Sequence, residues 1–456
     1  MRLTAVQRLQ PPARNAMAPA RLGVDLAIRL PEAGLFLAGR LTDPHRLIDT
    51  VTLRSTAGFR HRLDDVWAWT CAADPLADTD DGAILAKVPQ IDSAVGFVVL
   101  VPAIAARRPS QRYFLEITRR DGESAVEPIH FDDRPPAMLL RAVLDRVEAG
   151  DPDIERIIGG HVGPAVRALA AHRPTNLRPL LRLAFGENAG APRLSAIVPL
   201  LEPRGDLDVN LACFTVDPDL SDVEFIVVTR RDDVVPVVAM LRRFGGFYRL
   251  RGCVIADETI ADTAEAIQLG AREAAADALL VLAPAVYPKE KGWLSRLVQA
   301  LDALPEDGLV SPTLLYEDNS IRYAGSGAAP EAVRTPPHTA PRFAGYPRSW
   351  AADGGTMPTA AASLDCILAR RQTLLDLGHF AHRFVGAAWA HADFAMRCRA
   401  LGRRCYWASG VALYALDGDA EPAASDDAAD LVDGWLFAQA WRLAWPLAGR
   451  GGSVRR

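Results

Sequence analysis

Four short apolar runs, each separated from the next by residues of helical pattern, constrain this chain more than any other feature. They are LSAIVPLLE (194–202), VEFIVVTRRDD (223–233), RGCVIADE (251–258) and LLVLA (279–283). Runs of this length, apolar on both alternations, suit strands buried on both faces of a parallel sheet. Between them, 234–244 and 263–275 carry apolar residues at helical spacing, which predicts crossover helices and an α/β sheet. Pro284 and Pro288 bracket the end of the fourth strand, and Gly292-Trp293 open a further helical pattern through Leu294, Leu297, Val298 and Leu301. In open α/β sheets ligands sit at the carboxyl ends of such strands, so the candidate site lies there.

The first 130 residues read differently. Residues 1–21 are rich in Pro, Arg and Ala and are expected to be disordered. From 22 to 133, short alternating runs (24–30, 35–41, 48–54, 96–101, 113–118, 125–131) and an Asp121-Gly122 turn predict a small antiparallel β-sandwich. Trp67 and Trp69 have two readings, sandwich core or a surface for stacking on a sugar ring. Residues 134–188 are expected to be a helical linker, with apolar residues at helical spacing from Met138 to Val147 and again from Ile154 to Leu169.

At 456 residues the chain is long enough for two or three domains. A net charge of −5 gives no field that would favour nucleic acid. Six scattered cysteines without CxxC spacing argue against a metal knuckle or a disulfide scaffold. The first residues lack the apolar stretch of a secretory signal, and the expectation is a cytoplasmic chain.

From Pro192 to about Tyr414 a series of blocks resembles the family 2 glycosyltransferases of the GT-A fold. The blocks are IVPL, EFIVV, QLGAREA before LLVL, WLSRLVQAL, VSPTLLYEDNSIRYAG, CILARR and HADFAMRCRALGRRCYW, and it is their order that carries the resemblance. It implies a GT-A domain over 189–425, a nucleotide-sugar donor, and a glycan or lipid-linked acceptor. It also implies a Mg²⁺ or Mn²⁺ ion held by an Asp-containing DxD-like motif at the end of the fourth strand. The matching positions here are Ala283, Pro284 and Ala285, which offer no carboxylate. The family's catalytic-base segment matches Ala390, His391, Ala392 and Asp393, and its Tyr-His pair reads Tyr414-Ala415.

The resemblance thus names Pro199, Leu200, Thr229, Arg230, Pro284 and Ala285 as the donor-binding positions, His391 and Asp393 as the base candidates, and no metal ligand. Each has a plainer reading. Asp393 would cap a helix, His391 would be a loop histidine, Asp365 a strand-entry residue, and Arg230 and Arg231 either a grip on a diphosphate or solvated charges. Glu317-Asp318-Asn319-Ser320 reads as a hairpin turn. Two functions remain open: sugar transfer, or a degenerate transferase that binds glycan, nucleotide or protein without turnover. In the tail (426–456), Val432, Trp435, Leu436, Gln439 and Leu443 share one helical stripe ahead of Arg450, Arg455 and Arg456. That stripe fits peripheral contact with a membrane or packing back on the preceding domain.

Overall fold

The computed structural model describes residues 20–30, 32–71, 95–102, 111–151, 153–171, 179–186, 190–201, 206–215, 219, 222–248, 250–257, 260, 263–328, 339–351, 354–378, 387–416 and 428–441. Of the segment 1–21 expected to be disordered, residues 1–19 lie outside these residues, as do Leu443, Trp445 and the basic tail, whereas Arg21 opens a strand because it pairs with Thr42. The chain divides into two compact units at Leu169/Ala170.

In the first unit the strands are Arg21–Leu30 (β1), Gly34–Thr42 (β2), Ile48–Ser55 (β3), Arg60–Arg62 (β4), Ala68–Thr70 (β5), Val95–Pro102 (β6), Tyr113–Arg119 (β7) and Ser124–Pro128 (β8). They form two four-stranded antiparallel sheets, ordered β1-β2-β6-β5 and β4-β3-β7-β8. Leu35, Leu37 and Val99 from one sheet meet Val51, Leu53 and Leu115 from the other in a shared core. In β3 and at the start of β7, alternate residues turn to this core, whereas β2 and β6 are buried on both alternations, with Phe36 and Val98 on the face away from it. Trp67 fills this core against the Phe97 ring, 4.9 Å away, whereas Trp69 keeps 40% of its surface exposed.

Three helices follow within the same unit: Pro136–Leu144 (α1), Ile154–Ile157 (α2) and Gly163–Ala171 (α3), the last running two residues past the division. A π-helical turn, Ile158–Val162, joins α2 to α3. That turn places His161 against β6, where its Nδ1 accepts the Leu100 N–H at 3.1 Å. The helical segment expected to run to residue 188 does not do so, since Leu181–Phe185 is a strand (β9) of the second unit. Its reason is the outer edge of strand Arg251–Asp257, whose backbone groups β9 pairs antiparallel.

The second unit continues with Leu194–Leu200 (β10), Asp206–Thr215 (α4), Val223–Arg230 (β11), Val234–Tyr248 (α5), Arg251–Asp257 (β12), Thr263–Glu273 (α6), Ala278–Leu282 (β13), Val286–Pro288 (β14), Trp293–Asp302 (α7) and Gly308–Leu315 (β15). Then come Ile321–Tyr323 (β16), Ser326–Ala328 (β17), Thr339–Pro341 (β18), Thr356–Thr359 (β19), Cys366–Arg370 (β20), Arg371–Asp376 (α8), Ala387–Ala400 (α9), Arg404–Ala415 (β21) and Ala428–Trp441 (α10). One mixed sheet runs β14-β21-β15-β20-β13-β10-β11-β12-β9. Its centre, β13-β10-β11-β12, is parallel throughout, β15 and β21 form a second parallel pair, and β20 is antiparallel to both β13 and β15.

Both faces of this sheet are covered, and the two alternations of each strand enter different cores. Ala196, Val198, Phe225, Val227 and Leu280 pack on one side with Trp293 of α7, while Ile197, Ile226, Val228 and Val281 pack on the other with Ile267 of α6 and Phe394 of α9. This is the physical meaning of the unbroken apolar runs in the sequence. No helix among the described residues is long and apolar enough to cross a membrane.

Burial and the nearby Arg156 guanidinium push the pKa of His161 down from 6.5 to about 4. The folded unit therefore holds neutral imidazole while the unfolded chain takes a proton below pH 6.5, so stability is lost as pH falls from 6.5 towards 4. The full loss is about 3 kcal/mol. In a histidine NMR titration of the whole chain, His161 should have its midpoint near pH 4; an ordinary midpoint near 6.5 would contradict this environment.

Candidate functional site

Strand β10 is followed in sequence by β11 and β12 on one side, after which the chain returns to add β13 on the other. The strand order reverses between β10 and β13, which makes their carboxyl ends the topological switch point of an open α/β sheet, where ligands characteristically sit. Four of the six donor positions named from the sequence are paired or adjacent here. Pro199 and Leu200 end β10, with Leu200 in register with Thr229 of β11, and Arg230 follows in register with the buried Asp257 at the end of β12. Arg230 itself is exposed.

Pro284 and Ala285 form the turn between β13 and β14. Asn210 of α4 holds this turn: its Nδ2 donates to the Pro284 carbonyl at 3.0 Å and also to the Val286 carbonyl. The Leu416 amide donates to the Ala285 carbonyl at 2.9 Å, and the Ala283 amide donates to the Asp365 carbonyl at 2.8 Å. Strand β14 was not expected, since Pro288 reads as a stop. It forms because its ladder with β21 is antiparallel and on the sheet's end, where a proline at the last position is tolerated.

Two buried polar atoms at these strand ends meet no hydrogen-bond partner among the described residues: Thr229 Oγ1 and Asn210 Oδ1. Such atoms are costly unless a ligand or water satisfies them. Beside the turn, Arg322 of β16 spans two acceptors, Asp365 Oδ2 and the Ala415 carbonyl, each at 3.4 Å. Asp365 is thus more than a strand-entry residue. Sequence reasoning missed Asn210 and Arg322. Asn210 had a signal, an amide between the apolar Val209 and Leu211; Arg322 had none, because an alternate polar residue in a short strand reads as solvated.

A divalent cation does not fit this donor set. The Pro284 and Ala285 carbonyls are already accepting, and the Asp365 carboxylate faces a guanidinium. Among the described residues no group of three or more His, Cys, Asp or Glu is placed to hold a metal.

The base segment lies in α9. Nothing is described of the His391 side chain, although its backbone belongs to the helix. Asp393 is 0% exposed and both its oxygens are engaged, Oδ2 with Arg397 Nε at 2.6 Å and Oδ1 with Trp441 Nε1 at 2.8 Å. It therefore stands inside α9 rather than as the cap at its start. A second indole does the same between the same helices, Trp389 Nε1 donating to Asp430 at 2.7 Å. Val432 and Leu436 of the tail stripe are buried, and Phe437 meets the Trp389 ring at 5.3 Å. The stripe is thus used to pack α10 onto α9.

Replacing Asp393 by Asn removes half of a buried ion pair and should destabilise the second unit by roughly 2–4 kcal/mol. Trp441→Phe, which removes one donor to that carboxylate, should cost about 1 kcal/mol. In urea unfolding the double variant should lose less than the sum of the two, because both act through one carboxylate. Full additivity would mean that the tie does not form.

No protein-family profile matches the chain, and no curated protein matches it. Solved structures that it resembles include GalNAc-T7 with UDP, GalNAc and Mn²⁺, at TM-score 0.43 and 11% identity over 57% of this chain and 50% of that one. Another is S. aureus TarS 1–349 in complex with UDP-GlcNAc, at TM-score 0.35 and 17% identity over 50% of this chain and 60% of that one. The chain spans 50% to 60% of the solved chains it matches.

Proposed function

We propose that the second unit is a glycosyltransferase-type domain of the GT-A fold, related to family 2, that binds a nucleotide-diphosphate sugar in the crevice between β10 and β13. The observation that carries this reading is the pair of orphaned buried polar atoms, Thr229 Oγ1 and Asn210 Oδ1, at the switch point of the parallel sheet. The ordered sequence blocks from Pro192 to Tyr414 support the same assignment. Donor positions are Pro199, Leu200, Thr229, Arg230, Pro284 and Ala285, with Asn210 added.

The diphosphate is held without a divalent cation in this reading. The β13 end lacks carboxylates, and the charges near the strand ends that suit an anion are the guanidinium groups of Arg230 and Arg322. Transfer to a glycan or lipid-linked acceptor then needs a group to take the acceptor hydroxyl's proton. Asp393 is committed to Arg397 and Trp441, which makes it a positioning residue for α9 and leaves His391 as the base candidate of that segment. A second reading, a nucleotide-sugar-binding module without turnover, is favoured by the same two observations: a strand end without carboxylates and an engaged Asp393.

Calorimetry with UDP should give one binding event per chain whose affinity changes less than threefold on adding Mn²⁺, and Thr229→Val should weaken it about tenfold, ~1.4 kcal/mol. A large Mn²⁺-dependent gain would reject the cation-free site. Nucleoside diphosphate release from UDP-sugars decides between the two readings. Release by the parent that disappears in His391→Ala identifies a transferase, and no release with any donor identifies the binding module.

A further inference from the structure

The second unit displays four large aromatic side chains to solvent within a short stretch of surface: Tyr316 at 41%, Phe343 at 40%, Tyr346 at 50% and Trp350 at 59% exposure. The backbone brings them together. Tyr316 opens the hairpin between β15 and β16, closed by its amide on the Ser320 carbonyl at 2.9 Å, with Asn319 at φ 62° in the turn. The segment 342–350 then runs back along that hairpin. Arg342 N donates to Gly325 O, Gly345 N to Ile321 O, Ile321 N to Tyr346 O, and Pro347 bridges Ser320. The Tyr346 and Trp350 rings lie 4.9 Å apart at 49°. Phe343 shows its phenyl group to water from a backbone at φ 58°, a conformation that costs a bulky residue energy and persists where a surface is used.

This surface lies on the same edge of the sheet as the end of β13. Strand β15 is antiparallel to β20, and β20 is antiparallel to β13, so the ends of β13 and β15 lie on one edge of the sheet. Arg322 joins the two, its guanidinium 6.0 Å from the Tyr316 ring and 3.4 Å from Asp365. Polar groups interleave the rings. Asn319 Oδ1 accepts from Lys289 Nζ at 2.6 Å and from Tyr414 Oη at 2.8 Å, and Lys289 lies 5.2 Å from the Tyr414 ring.

We propose that this aromatic rim binds a neutral saccharide chain, the acceptor side of the sugar-transfer reading above, on which the proposal rests. Aromatic faces cover the apolar C–H faces of sugar rings, and fixed amide, ammonium, guanidinium and carboxylate groups between them match ring hydroxyls. The Tyr346–Trp350 pair, with Tyr316 and Phe343 exposed on the same backbone-paired segments, offers more than one ring to a saccharide chain. An anionic membrane fits less well, because the hairpin tip carries the exposed carboxylates of Glu317 and Asp318, and Glu290 stands near Arg348.

The test uses the whole chain, titrated in a calorimeter with hexasaccharides of glucose, N-acetylglucosamine, mannose and galactose, and separately with UDP. At least one hexasaccharide should bind, with Kd on the order of 0.1–1 mM. The double variant Trp350→Ala/Tyr346→Ala should lose at least tenfold in that affinity with UDP binding and melting temperature unchanged, and Tyr316→Ser should weaken it in the same direction. Saccharide binding equal in parent and variants overturns the proposal, as does the absence of binding by all four probes. Sedimentation with phosphatidylglycerol vesicles that the variants lose, without saccharide binding, would assign the rim to lipid. A dimer that the variants lose would assign it to a second copy. Saccharide bound without UDP leaves the rim standing and sinks the donor reading; UDP bound without saccharide does the reverse.

Discussion

Everything in the second unit hangs on the burial of β10. All seven of its residues, Leu194 to Leu200, are buried, with apolar side chains on both alternations. Such a strand is stable only with strands on both edges and helices on both faces, and the chain supplies each in turn: β11 and β13 at the edges, α6 and α9 on one face, α4 and α7 on the other. The one polar side chain that β10 buries near its start is satisfied in place. Ser195 Oγ donates to Glu224 at 2.7 Å and accepts the Ala276 amide at 3.1 Å, which fixes the entry of β13 beside it. The strand's far end has no such closure. There the strand order reverses, and Thr229 and Asn210 keep buried polar atoms without hydrogen-bond partners among the described residues. The crevice is a product of the topology, and it survives the loss of any particular side chain.

That explains which parts of this molecule can be read from its sequence. Buried strands write themselves as apolar runs, so β10, β11, β12 and β13 fall within about three residues of the segments read from the sequence. The hairpin at 317–320 was equally legible, because turn chemistry is local. Strand β9 was not, because LRLAF is short and becomes a strand only by pairing with β12. The plainer reading of Trp67 also follows from pattern, whereas the exposure of Trp69 depends on where β5 begins.

The site divides along the same line. The strand-end positions proposed for a donor follow from the strands themselves, so Leu200 and Thr229 come out in register. The role of Asp393 does not, since its partner Trp441 is 48 residues away and an aspartate in HADF reads equally well as a cap or a base. Arg322 and Asp365 lie 43 residues apart and meet only because β16 and the start of β20 lie on the same edge. Interactions of that span are invisible to pattern, and they decide whether a carboxylate is available for chemistry.

The electrostatics of the edge follow from these pairings. A carboxylate pair at the end of β13 would repel a diphosphate unless a cation stood between them. With Ala283, Pro284 and Ala285 there, that repulsion is absent, and the charge of a diphosphate would have to be met by cationic side chains instead. What remains is a guanidinium held in place by Asp365 and the Ala415 carbonyl, half-sheltered from water, where its charge is screened less than at an open surface. Arg322 thereby links Asp365, immediately before β20, to the Tyr316 ring, whose centroid is 6.0 Å from its guanidinium. A ligand that joined an anionic group to a sugar would meet this guanidinium and the aromatic side chains on one edge, with the one nearby carboxylate, that of Asp365, already facing Arg322.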